Sequence, residues 1–228
     1  MRAMMRKANF RNIFDNAVFY LKLDELNGDA IDVINENNFK LNGGVNRGVN
    51  GLIGTAYSFD GNNGYLSELN NVWNNVNSNN FTFGVWFETF DNSVGQTIIS
   101  DINGNDFFDR KIFIEYNSSS KKIAVRIGKD SSTTLALDST TLIQNNTKYL
   151  IIFKYDANGD AKLKINNVLE DSDTFTSAST VENQIYIGQS GLNAAFLKGI
   201  LDEMFFINGQ TSSGVDSDLW NNGQGKTY

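Results

Sequence analysis

Five residues between positions 60 and 73 combine the side-chain types that bind sugars. They are Asp60, Asn62, Asn63, Tyr65 and Trp73. An aromatic face packs against the apolar C–H side of a pyranose, while Asn and Asp side chains exchange hydrogen bonds with its hydroxyls. These residues therefore form a candidate glycan-binding site. The alternative is that Tyr65 and Trp73 are core aromatics and that the Asn residues only form turns.

Two missing residue types limit the chemistry that the chain can perform. The sequence contains neither His nor Cys. A Ser-His-Asp triad, a His general base and the usual zinc sites are therefore excluded, as are a thiolate nucleophile and a disulfide. Any catalysis would have to use carboxylates, Lys, Tyr or a bound ion.

The segment 101–106 (DINGND) imitates the start of an EF-hand calcium loop. The twelfth position of that loop is Ile112, where an EF-hand has a bidentate Glu, and no helical pattern flanks the segment. A hairpin turn is the better interpretation of these residues, and the same holds for 156–160 (DANGD).

Composition and charge narrow the class of protein. Of the 228 residues, 40% are hydrophobic and 20% are charged, which is enough apolar sequence for a buried core. The net charge is −7 at pH 7. A negative surface disfavours nucleic acid and anionic membranes as partners. Because no apolar segment is long enough to span a bilayer, we also expect no membrane insertion.

Residues 1–16 are interpreted as a basic extension that precedes a folded domain at 17–228. The extension carries Arg2, Arg6, Lys7 and Arg11. It either anchors the chain to a larger assembly or is a frayed start. No apolar region or cleavage site of a secretory signal follows, so we expect synthesis in the cytoplasm without a signal peptide.

Short strands would position the candidate site. The clearest is 81–87 (FTFGVWF), where Phe81, Phe83, Val85 and Phe87 alternate onto one face. A dozen or more such segments are separated by turns that contain Asn, Gly and Asp. This pattern predicts an all-β sandwich or barrel.

Two connections between these strands have distinct sequences. Residues 35–51 are predicted to be a long polar connection, rich in Gly and Asn. Asn166 and Asn167 form the two-residue loop of a predicted hairpin, which suits a turn with positive φ.

One short helix is predicted near the C-terminus. Ser213 would be its N-cap, with Asp216 three residues later, and Leu219 and Trp220 would form its apolar face. Gly223 would end it.

Eight segments together resemble one family of jelly-roll domains. They are 20–25 (YLKLDE), 56–61 (AYSFDG), 81–87 (FTFGVWF), 155–159 (YDANG), 163–166 (LKIN), 185–188 (IYIG), 196–203 (FLKGILDE) and 219–223 (LWNNG). Each is short, but their order and spacing over residues 17–225 are similar to those of the laminin-G-like domains of the concanavalin A-like lectin/glucanase superfamily. Such domains occur in phage and bacterial surface proteins.

The resemblance implies two antiparallel sheets, one of them concave, with rim loops that hold sugars or calcium. It also implies one structural Ca²⁺ between the first and last strands. Asp24, Glu25 and Asp202 match the positions that would supply carboxylates, and carbonyl groups near Gly51 would complete the shell. The alternative is that Asp24 and Glu25 are solvent-exposed side chains at a strand end and that Asp202 accepts backbone N–H groups.

The glycosidases of this superfamily carry a strand with the pattern Glu-x-Asp-x-x-Glu, and no such strand occurs here. Glu88 and Asp91 lack the third acid, Glu115 stands alone, and the adjacent Asp202 and Glu203 would face opposite sides of a strand. The sequence therefore predicts no enzyme.

Three functions remain open at this stage. The first is a non-catalytic phage virion component, such as a capsid decoration or a tail or fibre protein. It would be multimeric, would attach to other virion or surface proteins through residues 1–16, and would bind glycans. The second is a carbohydrate-binding module or adhesin domain of a secreted bacterial protein, and the third is a degenerate glycosidase. The first two place the domain on a virion or an extracellular surface.

Overall fold

The computed structural model describes most of the chain. The described residues are 14, 16–76, 80–101, 110–130, 133–156, 160–174, 183–191 and 193–226. The basic extension lies almost entirely outside them, as do most of the EF-hand-like segment and positions 157–159 of the second turn. The described helices are all too short or too polar to cross a membrane.

The described residues form fifteen strands, one α-helix and two 3₁₀ turns. The strands are β1 (Ala17–Leu21), β2 (Phe39–Asn42), β3 (Val45–Asn50), β4 (Thr55–Asp60), β5 (Tyr65–Glu68), β6 (Asn80–Thr89), β7 (Gln96–Ser100), β8 (Phe113–Asn117), β9 (Lys122–Asp130), β10 (Thr133–Asp138), β11 (Tyr149–Asp156), β12 (Asp160–Ile165), β13 (Val168–Asp173), β14 (Tyr186–Ile187) and β15 (Lys198–Asn208). The helical elements are η1 (Val72–Asn75), α1 (Ser213–Trp220) and η2 (Asn221–Gly223).

Two antiparallel sheets confirm the predicted sandwich. The first has the order β13-β12-β11-β6-β15-β4-β3, and the second has the order β10-β9-β8-β7-β14-β5-β2. On one edge of the long strand β15, the first half pairs with β4 and the second half pairs with β1. The two halves meet at a bulge, where Glu203 has a φ of 50°.

The main core lies between the two sheets. Phe81, Phe83, Val85 and Phe87 of β6 are all at most 1% exposed and belong to this core, as their alternation predicts. The ring of Phe206 from β15 stacks on Phe81 with 4.8 Å between centroids. The inward-facing residues of the central strands therefore supply the apolar contacts that hold the sheets together.

A second, smaller cluster covers the outer face of the first sheet. Trp86, which alternates away from the main core, stacks on Trp220 of α1 with 5.5 Å between ring centroids. Gly84 lies in the same strand under the ring of Phe205, and a Cβ there would come within 2.1 Å of Phe205 Cζ. Only glycine allows this close approach.

Two strands occur where the sequence pattern predicts a polar connection. The prediction for residues 35–51 is wrong in this respect, because β2 and β3 lie there and pair with β5 and β4. Both are edge strands. Most side chains of β3 are exposed, so no apolar alternation marks it in the sequence.

The predicted hairpin turn and helix are present, with different helix ends. Asn166 and Asn167 have φ values of 53° and 65°, which confirms the expected turn. The N-cap is Ser212 rather than Ser213, because the Ser212 side chain accepts the backbone N–H three residues later. The α-helix stops where Asn221 adopts the left-handed conformation, two residues before Gly223.

Candidate functional site

The turn between β4 and β5, which we call the rim turn, contains three of the predicted sugar-binding residues. Asp60 Oδ1 accepts the backbone N–H groups of Asn62, Asn63 and Gly64 at 2.9, 3.1 and 3.0 Å. Partial burial acts to raise the pKa of Asp60, but these bonds outweigh it and lower the pKa. One carboxylate oxygen of Asp60 thus stabilises the turn, as the turn-forming alternative expects.

Asn63 connects the rim turn to the neighbouring β2–β3 turn. Its Oδ1 accepts the backbone N–H of Gly44 at 2.8 Å. Asn62 and Asn63 are both exposed, so each retains polar atoms that face solvent. The rim turn is therefore a polar turn that is held by its own hydrogen bonds and by one bond to the β2–β3 turn.

Trp73 does not contribute to a sugar site, which corrects one of the predicted binding residues. Its side chain is 2% exposed and belongs to the core between the sheets. The ring packs edge-on against Phe206 at 5.9 Å, and Lys111 Nζ lies 5.0 Å from its centroid. Since its face is buried, Trp73 fits the alternative that the sequence left open, a core aromatic.

Tyr65 belongs to an aromatic group on the outer face of the second sheet, the aromatic platform. It comprises Tyr65, Tyr186 and Phe196. The Tyr65 ring centroid lies 6.1 Å from that of Tyr186 and 6.5 Å from that of Phe196. All three side chains are half-buried. They point outward because their chain neighbours Leu66, Ile187 and Leu197 are buried in the main core.

A polar cavity of about 260 Å³ lies beside the platform. We call it the amide pocket, and it is lined by Glu68, Leu69, Asn70, Asn71, Asn183 and Gln184. The Tyr186 hydroxyl donates a hydrogen bond to Gln184 Oε1 at 2.8 Å, which joins the platform to the pocket. The platform and the amide pocket are therefore neighbours, and the rim turn immediately precedes the platform residue Tyr65 in the chain.

Glu68 supports the floor of the amide pocket. Its Oε1 accepts the backbone N–H of Ile185, and its Oε2 accepts that of Val72, both at 3.0 Å. Burial raises the pKa of Glu68, although the two backbone bonds act in the opposite direction. The carboxylate thus fixes the two chain segments that form the pocket walls.

Asp202, one of the three predicted calcium ligands, is buried against the segment that follows β3. Its Oδ2 accepts the backbone N–H groups of Leu52 and Ile53 at 2.7 and 3.1 Å. Burial raises the pKa of Asp202 to about 6. Its Oδ1 is buried without a hydrogen-bond partner in the part of the chain described here. Asp202 thus accepts backbone N–H groups beside Gly51, as the alternative to a calcium ligand expects.

The other oxygens expected around a calcium ion have different partners. Glu25 accepts the backbone N–H of Ile31 at 3.0 Å and the hydroxyl of Tyr57 at 2.7 Å. The Gly51 carbonyl accepts the Lys148 ammonium group at 2.6 Å, and Asp24 is exposed.

This donor set does not fit a complete calcium shell. Ca²⁺ requires six to eight oxygens, whereas the described residues hold no group of three acidic side chains placed for a metal. A lysine, moreover, already holds the Gly51 carbonyl. The residues at this position therefore do not fit the structural Ca²⁺ that the resemblance implies.

The carboxylates considered for catalysis also have separate partners. Glu115 lies in the field of Arg126 and Arg110; burial raises its pKa, and the two guanidinium groups oppose that shift. Glu203 accepts the hydroxyl of Tyr20, and burial raises the pKa of Glu203 to about 8. Asp91 pairs with Lys198 at 3.3 Å.

A family comparison covers most of the sandwich. The laminin G model described as "Concanavalin A-like lectin/glucanases superfamily" matches residues 60–213. The chain belongs to the concanavalin A-like lectin/glucanases superfamily. This confirms the family that the eight segments indicated, and the match to the superfamily includes the rim turn, the platform and the amide pocket. No curated protein matches the sequence.

Several solved structures share the fold of this superfamily member, and two of the three described here are named as binding domains. The binding domain of Paraclostridial Mosquitocidal Protein 1 has a TM-score of 0.75 at 16% identity, over 92% of this chain and 53% of that one. The botulinum neurotoxin DC binding domain in complex with rat synaptotagmin II has a TM-score of 0.70 at 13% identity, over 92% and 52%. A botulinum neurotoxin type C structure, titled for its two ganglioside molecules, has a TM-score of 0.70 at 14% identity, over 93% and 52%. The chain therefore spans about half the length of these neighbours and shares their fold.

Sequence reasoning did not find most of the site in this superfamily member. It named Tyr65 but not Tyr186 or Phe196, and it assigned no role to Asn183 or Gln184. The available signal was 184–188 (QIYIG), where Tyr186 lies between two apolar residues and must face away from the core.

Proposed function

We propose that this chain is a non-catalytic glycan-binding domain whose site consists of the aromatic platform and the amide pocket. The observation that carries the proposal is the 2.8 Å hydrogen bond from the Tyr186 hydroxyl to Gln184 Oε1. It holds an outward-facing aromatic ring next to a cavity lined by carboxamides. Aromatic faces and amide groups are the two elements that recognise a sugar ring.

The exposure of these residues supports binding rather than packing. Tyr65, Tyr186 and Phe196 are half-buried, so part of each ring remains accessible. A half-buried ring is already held in place by its neighbours. It therefore loses little conformational entropy when a ligand binds.

The arrangement of the acids supports binding rather than hydrolysis. A glycosidase needs two carboxyl groups that flank one bond. Glu68 instead uses both oxygens for backbone N–H groups, and Glu115 lies among arginines. The superfamily includes both lectins and glucanases, so membership alone does not distinguish sugar binding from hydrolysis. The contacts of Glu68 and Glu115 favour binding.

Two of the similar structures involve glycan ligands. One is a neurotoxin binding domain in complex with SialylT, and the other concerns the interaction of botulinum neurotoxin type C with two ganglioside molecules. These statements concern those proteins. For this chain, they favour glycans as the first ligands to test.

Isothermal titration calorimetry with ligands identified on a glycan array would test the proposal. Tyr186→Ala removes one platform ring and should weaken binding by at least about tenfold, the effect of losing about 1.4 kcal/mol. Leu169→Ala is a matched control, because Leu169 is 51% exposed on β13, at the far edge of the other sheet. Absence of binding to any arrayed glycan would refute the proposed function.

We further propose that the domain is displayed on a phage virion or another surface assembly, as a multimer attached through residues 1–16. The support is the cluster of basic residues in an otherwise acidic chain. Light scattering of the purified chain and detection of the chain in purified particles would test this placement. A monomer that is missing from particles would contradict it.

A further inference from the structure

The charge of the amide pocket limits the kind of glycan that it can accept. We infer that the pocket selects an uncharged sugar ring, such as a terminal hexose or N-acetylhexosamine, over a sialylated or otherwise acidic one. This inference rests on the proposed glycan-binding function and specifies its ligand class.

The lining chemistry is that of a neutral ligand. Four of the six lining residues are carboxamides, which offer both donors and acceptors to hydroxyl and acetamido groups. Leu69 adds an apolar side chain that is 52% exposed. Glu68 is the one ionisable residue among the six. Its negative charge would repel the carboxylate of an acidic sugar.

The two chain segments that supply the six described lining residues carry no positive charge. The residues from 48 to 109 and from 165 to 197 include all six lining residues and contain neither Lys nor Arg. The pocket is therefore built from two segments without basic side chains. Acidic ligands are usually held by Arg or Lys, often in bidentate pairs.

Basic side chains lie on the same surface on both sides of Tyr186. On one side, Tyr186 pairs with Ser100 and Ser100 pairs with Phe113, whose ring centroid lies 5.0 Å from the Arg110 guanidinium. On the other side, Tyr186 pairs with Ser67, and Ser67 pairs with Lys40 on the edge strand β2. Lys40 is thus two strands from Tyr186, or roughly 10 Å at the usual strand spacing. Lys198 follows the platform residue Phe196 by two positions but belongs to the first sheet, where it pairs with Asp60 in register and forms an ion pair with Asp91.

The size of the amide pocket favours one ring. Pockets for drug-sized ligands span about 300–1,000 Å³, and this cavity of about 260 Å³ lies below that range. A single terminal sugar could enter the pocket while the next ring rests on the aromatic platform. The pocket would then contact the terminal sugar of the glycan, which is the position that sialic acid occupies in a sialylated glycan.

A matched pair of ligands would test the inference. The probes are a galactose-terminated oligosaccharide and the same oligosaccharide capped with sialic acid, titrated into the full chain by calorimetry. The uncapped ligand should bind at least about tenfold more tightly. Gln184→Ala should weaken its binding several-fold, whereas Lys40→Met should leave it unchanged. Circular dichroism of both variants would verify that they are folded.

Two results would overturn the inference, and they differ from one another. In the first, the sialylated ligand binds more tightly and this preference is lost in Lys40→Met, which would show that the acidic sugar pairs with Lys40. The proposed glycan-binding function would then stand, but the proposed selectivity for neutral sugars would be wrong. If neither these probes nor any other arrayed glycan bound, the proposed function itself would fall, and the inference with it.

Discussion

The carboxylate of Asp216 in α1 accepts a hydrogen bond from the Lys154 ammonium group of β11 at 2.6 Å, and both side chains are buried. Lys164 of β12 reaches the same carboxylate oxygen at 2.7 Å. A single acidic side chain therefore ties the C-terminal helix to two adjacent strands of the first sheet.

Replacement of Asp216 should destabilise the fold strongly. Burial lowers the pKa of Lys154, and Asp216 opposes that shift. Without the carboxylate, the buried ammonium group of Lys154 and the partly buried one of Lys164 would lose their counter-charge. We expect Asp216→Asn to reduce the free energy of unfolding in urea by about 3 kcal/mol. Asp218→Asn, at a partly exposed position of the same helix, should change it by less than about 0.5 kcal/mol, and equal effects would contradict the assigned role.

Gly84 should tolerate no side chain. A Cβ at this position would lie 2.1 Å from Phe205 Cζ, so Gly84→Ala must displace a ring that packs in the outer cluster. We expect a loss of about 1–3 kcal/mol by urea unfolding. Gly95→Ala is the control, since the nearest atom to a Cβ there is 3.8 Å away. Two variants of equal stability would show that the ring moves at little cost.

Stability should fall as the pH rises because of Glu203. Burial raises the pKa of this carboxyl group from 4.5 to about 8 in the folded protein. The folded state therefore retains a proton that the unfolded chain releases above about pH 4.5. The contribution is complete below that pH and is lost as the pH rises through 8, by at most about 1.4 kcal/mol per unit.

Urea unfolding at pH 5.5 and at pH 8.5 would measure this effect. Asp101 and Asp202 also have raised pKa values, about 7 and about 6, and act with the same sign. The comparison that isolates Glu203 is therefore wild type against Glu203→Gln, which should depend less on pH. An identical pH dependence in both proteins would mean that Glu203 is ionised when folded.

Calcium should not change the thermal stability of this chain. An ion at 100 times its Kd would add about 2.7 kcal/mol and raise Tm by several degrees. Since Lys148 holds the Gly51 carbonyl and Asp202 accepts backbone N–H groups, we expect equal Tm values in calcium and in EDTA. A rise of several degrees in calcium, lost in Asp202→Asn, would instead establish the metal site that the family resemblance implies.

The sequence predicts the elements whose side chains alternate strictly. The pattern of β6 places Phe81 and Trp86 on opposite faces, and the structure confirms this. Edge strands are different, because their stability comes from backbone pairing. Strand β3 pairs with β4 although most of its side chains are exposed, and no apolar alternation marks it as a strand.

The candidate site is harder to predict because it is assembled by topology. Asn71 and Gln184 line the same pocket, yet they are far apart in the chain and meet only because β14 pairs with β5. Trp73 shows the converse problem. Its Asn-rich surroundings suggest an exposed loop, whereas a single 3₁₀ turn carries its ring into the core. Local sequence does not specify which way such a turn points.

The division of β15 between two partners has a consequence for truncated forms of the protein. Among the described residues, strand β1 alone covers the backbone of residues 204–207 on that edge. Removal of residues 17–21 would leave this half-edge open in the middle of the sheet, flanked by the intact pairing with β4. An open edge presents unpaired N–H and C=O groups, so two shortened copies could associate edge to edge through residues 204–207.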